Sequence, residues 1–169
     1  MDEEKAKEYA DEKFKSLGEL EAKWNYYHSF CIIKALKELG KDEEKLRALA
    51  WVHDIGKING EENHPEKSIV ILKEDFDLDE IDIDCIRNHG SSARPETEEG
   101  KVFRYSDGLS LFYPETILFL VYGMAKEGKS FDEIRKYLDK QYDKYLKAYS
   151  DNSVVIELLK KKLYFIRFK

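Results

Sequence analysis

Along nearly the whole chain, apolar residues recur at intervals of three and four with charged residues between them. That spacing puts the apolar side chains on one face of an α-helix. Residues from about 2 to 17 are charged with a sparse apolar stripe (Ala6, Tyr9, Phe14, Leu17) and close at Gly18. A second helix is expected from roughly 19 to 39, stopping at Gly40. Asp42 is expected to cap a third, from about 43 to 55, that Gly56 ends. A loop at 58–63 leads to Asn63-His64-Pro65, with Asn63 as cap and Pro65 in the first turn of a helix running to about Glu74. Further helical patterns run from about Asp79 to His89, from about 98 to 112, and from Pro114 to the stop at Gly128. Ser130 caps a long pattern from Phe131 to Tyr149, and Asp151 or Asn152 caps the last one. There is no strand alternation of useful length, no internal repeat and no low-complexity linker. The expected fold class is all-α, with residues 1–169 forming a single domain.

Composition refines this picture without changing it. At 169 residues the chain is long enough to bury a core without disulfides or structural metals. Apolar residues make up 42% against 38% charged, which argues against disorder. The net charge of −6 argues against nucleic-acid backbone binding as the main task, because no overall positive field exists to displace counterions. Cys31 and Cys85 are too few and too isolated for a disulfide framework or a thiolate zinc site, and read as reduced core side chains. The opening Met1-Asp2-Glu3-Glu4-Lys5 is the opposite of a signal peptide, and no apolar run approaches the ~20 residues of a membrane span. A cytoplasmic protein with no membrane partner is expected. The C-terminal Lys160–Lys169 run invites a membrane or RNA reading, but a helix that turns Leu163 and Ile166 inward with its lysines in water fits the pattern better.

The candidate chemistry lies in the histidines. There are four, His28, His53, His64 and His89, and His53 is followed at once by Asp54 within His53-Asp54-Ile55-Gly56-Lys57. Imidazoles and carboxylates are the usual nitrogen and oxygen ligands of catalytic divalent metals. His28 belongs to the apolar row Trp24, His28, Cys31, Ile32, Ala35 and Leu39, and His53 continues Leu46, Leu49 and Ala50. His89 continues the Ile81–Cys85 row, and Asp107 follows Phe103. These side chains therefore point at a core, where an unpaired Asp107 carboxylate would cost several kcal/mol and a shared cation would satisfy the group together. Adjacent helical residues diverge by about 100°, so His53 and Asp54 reach one cluster only near a helix end. Taken singly, each has a plainer reading: a hydrogen-bonded core histidine, a helix-end acid, a solvated loop lysine. Lys57 and Arg94 are the candidates to hold a substrate phosphate, since an ammonium neutralises its charge and a guanidinium fork suits its geometry.

These residues together resemble the HD superfamily of metal-dependent phosphohydrolases. His28, the His53-Asp54 pair and Asp107 match its H…HD…D order, and His53-Asp54-Ile55-Gly56-Lys57 matches its HDIGK form. The segments Asn63–Ser68, Ile86–His89 and Tyr105–Leu109 also resemble stretches of small HD proteins, so the likeness covers about residues 20 to 125. It implies an HD-type helical bundle, with residues 126–169 completing the core and a metal held by His28, His53, Asp54 and Asp107. His64 and His89 match the additional positions of two-metal members, in which Asp54 would bridge. The larger cyclic-dinucleotide phosphodiesterases of the superfamily carry a GYP element and further histidines, both lacking here.

The expected activity is hydrolysis of a phosphate ester or anhydride of a small phosphorylated substrate, a nucleotide, by metal-activated water. Asp54 and Lys57 are the expected catalytic residues. His64 or His89 would act as general acid if one ion is bound. One or two divalent transition ions are expected, Mn²⁺, Fe²⁺, Co²⁺, Ni²⁺ or Zn²⁺, since such sites accept each. The rival readings are a regulatory module that binds metal or nucleotide without turnover, and an interaction protein whose histidines only fill a core.

Overall fold

The computed structural model describes residues 1–163, and among them every regular element is a helix. In chain order these are α1 (Glu3–Phe14), α2 (Glu19–Glu38), α3 (Glu44–Val52), a 3₁₀ turn (Ile55–Asn59), α4 (His64–Asp75), α5 (Glu80–Arg87), α6 (Glu98–Ser110), α7 (Pro114–Lys126), α8 (Phe131–Ala148) and α9 (Ser153–Leu163).

Several boundaries follow directly from side chains that satisfy free backbone donors. Asp79 and Asp82 form a reciprocal capping box on α5, and Ser130 and Glu133 do the same on α8. Of the two candidates for α9, it is Asn152 whose side chain accepts from the Val155 nitrogen, at 3.1 Å. Thr97, unmarked by the sequence pattern, caps α6 by accepting from Gly100.

Three expectations fail locally. Asp42 does not cap α3: Glu43 occupies that position without a side-chain bond, and Asp42 instead accepts from Arg47 through both its carbonyl and its carboxylate. Asn63 precedes α4 in a left-handed conformation (φ 53°) and makes no side-chain cap. The third helix ends at Val52, three residues before the expected end at 55, and Gly56 is bound into α4 rather than acting as a free terminator. Its nitrogen donates to Ser68 Oγ at 2.8 Å, and a Cβ at Gly56 would fall 2.6 Å from the Ser68 nitrogen and overlap the His64 carbonyl oxygen.

The buried side chains form two groups. One joins α1 to α6 through Ile32, Leu36, Leu49, Val52, Leu72, Ile86 and Phe103. The other joins α2 and α6 to α8 and α9 through Cys31, Ala35, Leu109, Phe112, Tyr142, Tyr145, Tyr149 and Leu159. Helices α2 and α6 contribute to both, so the seam between the groups runs along them, and His28 and Asp107 lie on that seam. Cys31 and Cys85 are free and buried. Among the described residues no single helix is long and apolar enough to cross a membrane. The expected inward packing of Leu163 and Ile166 falls on side chains outside those described.

Candidate metal centre

Six predicted residues from five elements converge. His28 comes from the middle of α2 and Asp107 from α6, each on a buried face. His53 is the C-cap of α3, and Asp54 follows with φ −97° and ψ 7°, outside helical geometry. That departure is what lets two neighbours aim at one point. His64 is the first residue of α4, and His89 stands two residues beyond the end of α5. All but His64 are buried.

The orientation of the four imidazoles is set by their Nδ1 atoms. His53 Nδ1 lies 3.0 Å from the Ala50 carbonyl, His64 Nδ1 3.0 Å from that of Glu61, and His89 Nδ1 2.7 Å from that of Ile86. Each bond reaches back three residues. A carbonyl only accepts, so Nδ1 carries the proton in all three rings. His28 Nδ1 reaches Ser110 Oγ at 2.9 Å, and that hydroxyl gives its own proton to the Asp107 carbonyl, so His28 donates as well. In the neutral ring every Nε2 is therefore left as a bare acceptor, and all four face the two carboxylates.

Around Asp54 Oδ2 stand His53 Nε2 at 3.4 Å and His28 Nε2 at 3.7 Å, while Asp107 Oδ1 lies 3.1 Å from His28 Nε2 and 3.7 Å from His53 Nε2. The other oxygen, Oδ1, has His64 Nε2 at 3.0 Å and His89 Nε2 at 3.5 Å. Two overlapping groups, His28-His53-Asp107 and His53-Asp54-His89, each bring three ligand atoms within 4.8 Å of one another. Buried inside the cluster, His53 Nε2 and Asp54 Oδ1 have no aligned hydrogen bond. Leaving such atoms unpaired costs about 1–3 kcal/mol each. His64 Nε2 and His89 Nε2 approach to 3.1 Å, a separation two bare acceptors do not hold without a proton or cation between them. The donor set fits a divalent metal: His28, His53, Asp54 and Asp107 would hold one ion, and His64, His89 and the second Asp54 oxygen another.

Electrostatics agree with the geometry. Burial works to raise the Asp54 carboxyl, but His53, Lys57, His64 and His89 outweigh it and hold it well below the usual range. For Asp107, burial is likewise outweighed by the nearby imidazoles of His28, His53 and His89, and its carboxyl is held below the usual range. Burial, reinforced by His53, pushes His89 down to about 4. His64 goes the other way: burial lowers it, yet the Asp54 contact raises it overall. The Lys57 ammonium is kept charged against burial by Asp54, whose Oδ2 lies 2.7 Å away.

A cleft of about 340 Å³ opens above the cluster, lined in part by Trp24, Lys57, Ser91, Ser92, Lys144 and Tyr145. Lys57 lines it but is tied to Asp54. Arg94 is exposed and lies outside the lining, because the chain leaves the cleft after Ser92. Lys144 and Tyr145 come from α8, a helix whose sequence shows only a standard amphipathic stripe and no sign of a neighbouring site. A larger groove, about 1090 Å³, lies between α7, α8 and α9. It is lined by apolar side chains such as Ile117, Leu118, Leu138 and Leu158, with charged residues such as Glu38, Arg135 and Lys162, and contains no histidine.

The family model described as HD domain matches residues 25–111, just over half of the chain. The chain belongs to the HD domain family. The HD domain match runs from within α2 to the end of α6 and contains all six converging residues. HD domains are all-helical and bind divalent metals, and most are metal-dependent hydrolases. Helices α7, α8 and α9 lie beyond the HD match. No curated protein and no solved structure matches the chain at a significant level.

Proposed function

We propose that this protein is a metal-dependent phosphohydrolase, acting on a phosphate ester or anhydride of a small molecule, with a nucleotide as the leading substrate class. The observation that carries the reading is the set of buried acceptors: four Nε2 atoms and two carboxylates face one another, and His53 Nε2 and Asp54 Oδ1 have no aligned hydrogen bond. A divalent ion held there supplies Lewis acidity toward water and a phosphoryl oxygen. The chain's own groups do the remaining work. The Nδ1 bonds keep each ring presenting Nε2, as carbonyl partners do for metal-bound histidines generally. Lys57 offsets the charge of Asp54.

If a single ion is held by His28, His53, Asp54 and Asp107, His64 is the residue placed to give a proton to the leaving oxygen. It is half-buried at the cleft and its pKa is raised, whereas His89 is buried with its pKa lowered to about 4. A cytoplasmic setting and a small phosphorylated partner belong to the same proposal.

The test is release of inorganic phosphate from a panel of nucleotides and phosphomonoesters with Mn²⁺, together with metal content by elemental analysis. Wild type should hold one to two equivalents and turn over, and His53→Ala should lose both. Near two equivalents falling toward one in His64→Ala and His89→Ala would establish a binuclear site. Under ~0.2 equivalents of any transition metal, with no turnover on added Mn²⁺, would sink the proposal. Tight nucleotide binding without phosphate release would turn it toward a regulatory module.

A further inference from the structure

A hydrolase of this kind needs a cation to hold phosphate, and among the described residues the cleft lining offers two, Lys57 and Lys144. Lys57 is already committed: its ammonium sits 2.7 Å from Asp54 Oδ2 and is largely buried. Lys144 is exposed at the cleft, and its one polar contact within the described chain is with the ring of its neighbour Tyr145, 5.2 Å from the ring centre. Among the described residues it is the cleft's one uncommitted cation.

The helix that carries Lys144 is also held in place. Helix α8 lies against α6 one residue beyond Asp107, because Gly108 has no side chain: a Cβ there would stand 2.7 Å from Tyr145 Cδ1 and 2.6 Å from Tyr149 Cε2. Tyr149 donates to the Arg104 carbonyl at 2.8 Å. The buried Arg104 guanidinium donates to the carbonyls of Gly90, Ser91 and Ala148. One side chain thus ties the Gly90–Ser92 edge of the cleft to the end of the helix that carries Lys144.

We infer that Lys144 is the substrate-phosphate-binding residue of this cleft, contributed by a helix outside the segment matched to the family and held over the site by Gly108 and Arg104. This rests on the hydrolase reading above. The carboxylates of the floor are committed to the metal, and a lysine at the opening supplies counter-charge to a phosphate dianion without competing for the metal ligands.

The test is calorimetric titration of inorganic phosphate into the full-length, Mn²⁺-loaded protein, with metal content measured on the same samples. Lys144→Ala should weaken phosphate binding by about tenfold, the scale of one charge-assisted hydrogen bond. Lys144→Arg should recover most of that loss. Lys136→Ala, two turns earlier on α8, should bind as wild type does. Metal content should be the same in all four proteins, and with a turned-over substrate the Lys144→Ala defect should fall mainly on KM. Binding by Lys144→Ala within twofold of wild type, at equal metal content, overturns the inference and leaves the hydrolase reading standing. A wild type that takes up metal but binds no phosphate also overturns it. A protein that takes up neither metal nor phosphate removes both readings.

Discussion

The approach of two imidazoles within the centre, His64 Nε2 to His89 Nε2 at 3.1 Å, has a consequence that titration would reveal. Both Nδ1 protons are fixed on carbonyls, so the gap between the rings accommodates one proton or one cation. In the metal-free protein the proton belongs to His64, whose pKa is raised by Asp54, and not to His89, whose pKa burial lowers to about 4. Metal uptake by this pair below pH 6.5, where the raised His64 is mostly protonated, should then release a proton, which calorimetry in buffers of different ionisation enthalpy reads directly. His64→Gln should abolish that release, and metal affinity should rise with pH until His64 has lost its proton. Stability follows with a definite sign. His64, raised above its ordinary 6.5, contributes fully below that value and loses its contribution as pH rises through its folded pKa. His89, lowered, withdraws stability as pH falls from 6.5 toward about 4, and the lowered Asp54 and Asp107 do so at still more acid pH. The metal-free thermal midpoint should accordingly be highest near pH 6.5, with a shallower acid limb in His89→Gln.

Among the elements, the junction between the 3₁₀ turn and α4 has the least tolerance. Gly56 lies against the Ser68 nitrogen and the His64 carbonyl, contacts made by backbone that does not yield as a flexible side chain would. Gly56→Ala must push α4 outward and carry His64 away from Asp54. The expected result is a loss of about 1–3 kcal/mol in chemical denaturation, typical of overpacking, together with loss of the His64-dependent metal equivalent. Unchanged stability and metal content would show that the turn relaxes around the added methyl. The sequence marked Gly56 as a helix stop, and the helix does stop nearby. The reason is different: the glycine is needed for close approach of a distant segment, which no local pattern records. Thr97 escaped notice for a related cause, since its hydroxyl both caps α6 and donates to Asp84, twelve or more residues earlier in the chain.

At the scale of the molecule, α8 and α9 are joined to the HD domain segment by a buried aromatic seam. Tyr149 is fully buried, meets Tyr105 and Tyr145 ring to ring, and lies under the Arg104 guanidinium at 4.8 Å. Tyr149→Ala should cost about 3–5 kcal/mol, as large aromatic truncations do, and should also weaken phosphate binding by releasing the Lys144 wall. Tyr149→Phe removes only the bond to the Arg104 carbonyl and should cost about 1 kcal/mol. Urea unfolding of the two variants beside wild type separates the packing contribution from the hydrogen bond. A Tyr149→Ala protein as stable as wild type would mean that the C-terminal helices are not coupled to the HD domain segment.

The helices, the cap at Ser130, and the inward rows bearing His28, His53 and Asp107 were legible from the chain, because helical periodicity and capping act over a few residues. The ordered histidines and carboxylates likewise pointed to the family, since metal chemistry restricts which side chains serve. Tertiary structure decided what depends on distant neighbours. It tied Lys57 to Asp54, left Arg94 in solvent, and brought Lys144 over the cleft from beyond the matched segment. It also gave Asp54 two oxygens with different partners, Oδ2 toward His28 and His53 and Oδ1 toward His64 and His89. The range of the forces explains the division: a periodic pattern encodes the face a side chain takes, while the charge it meets there is set only when separate helices pack.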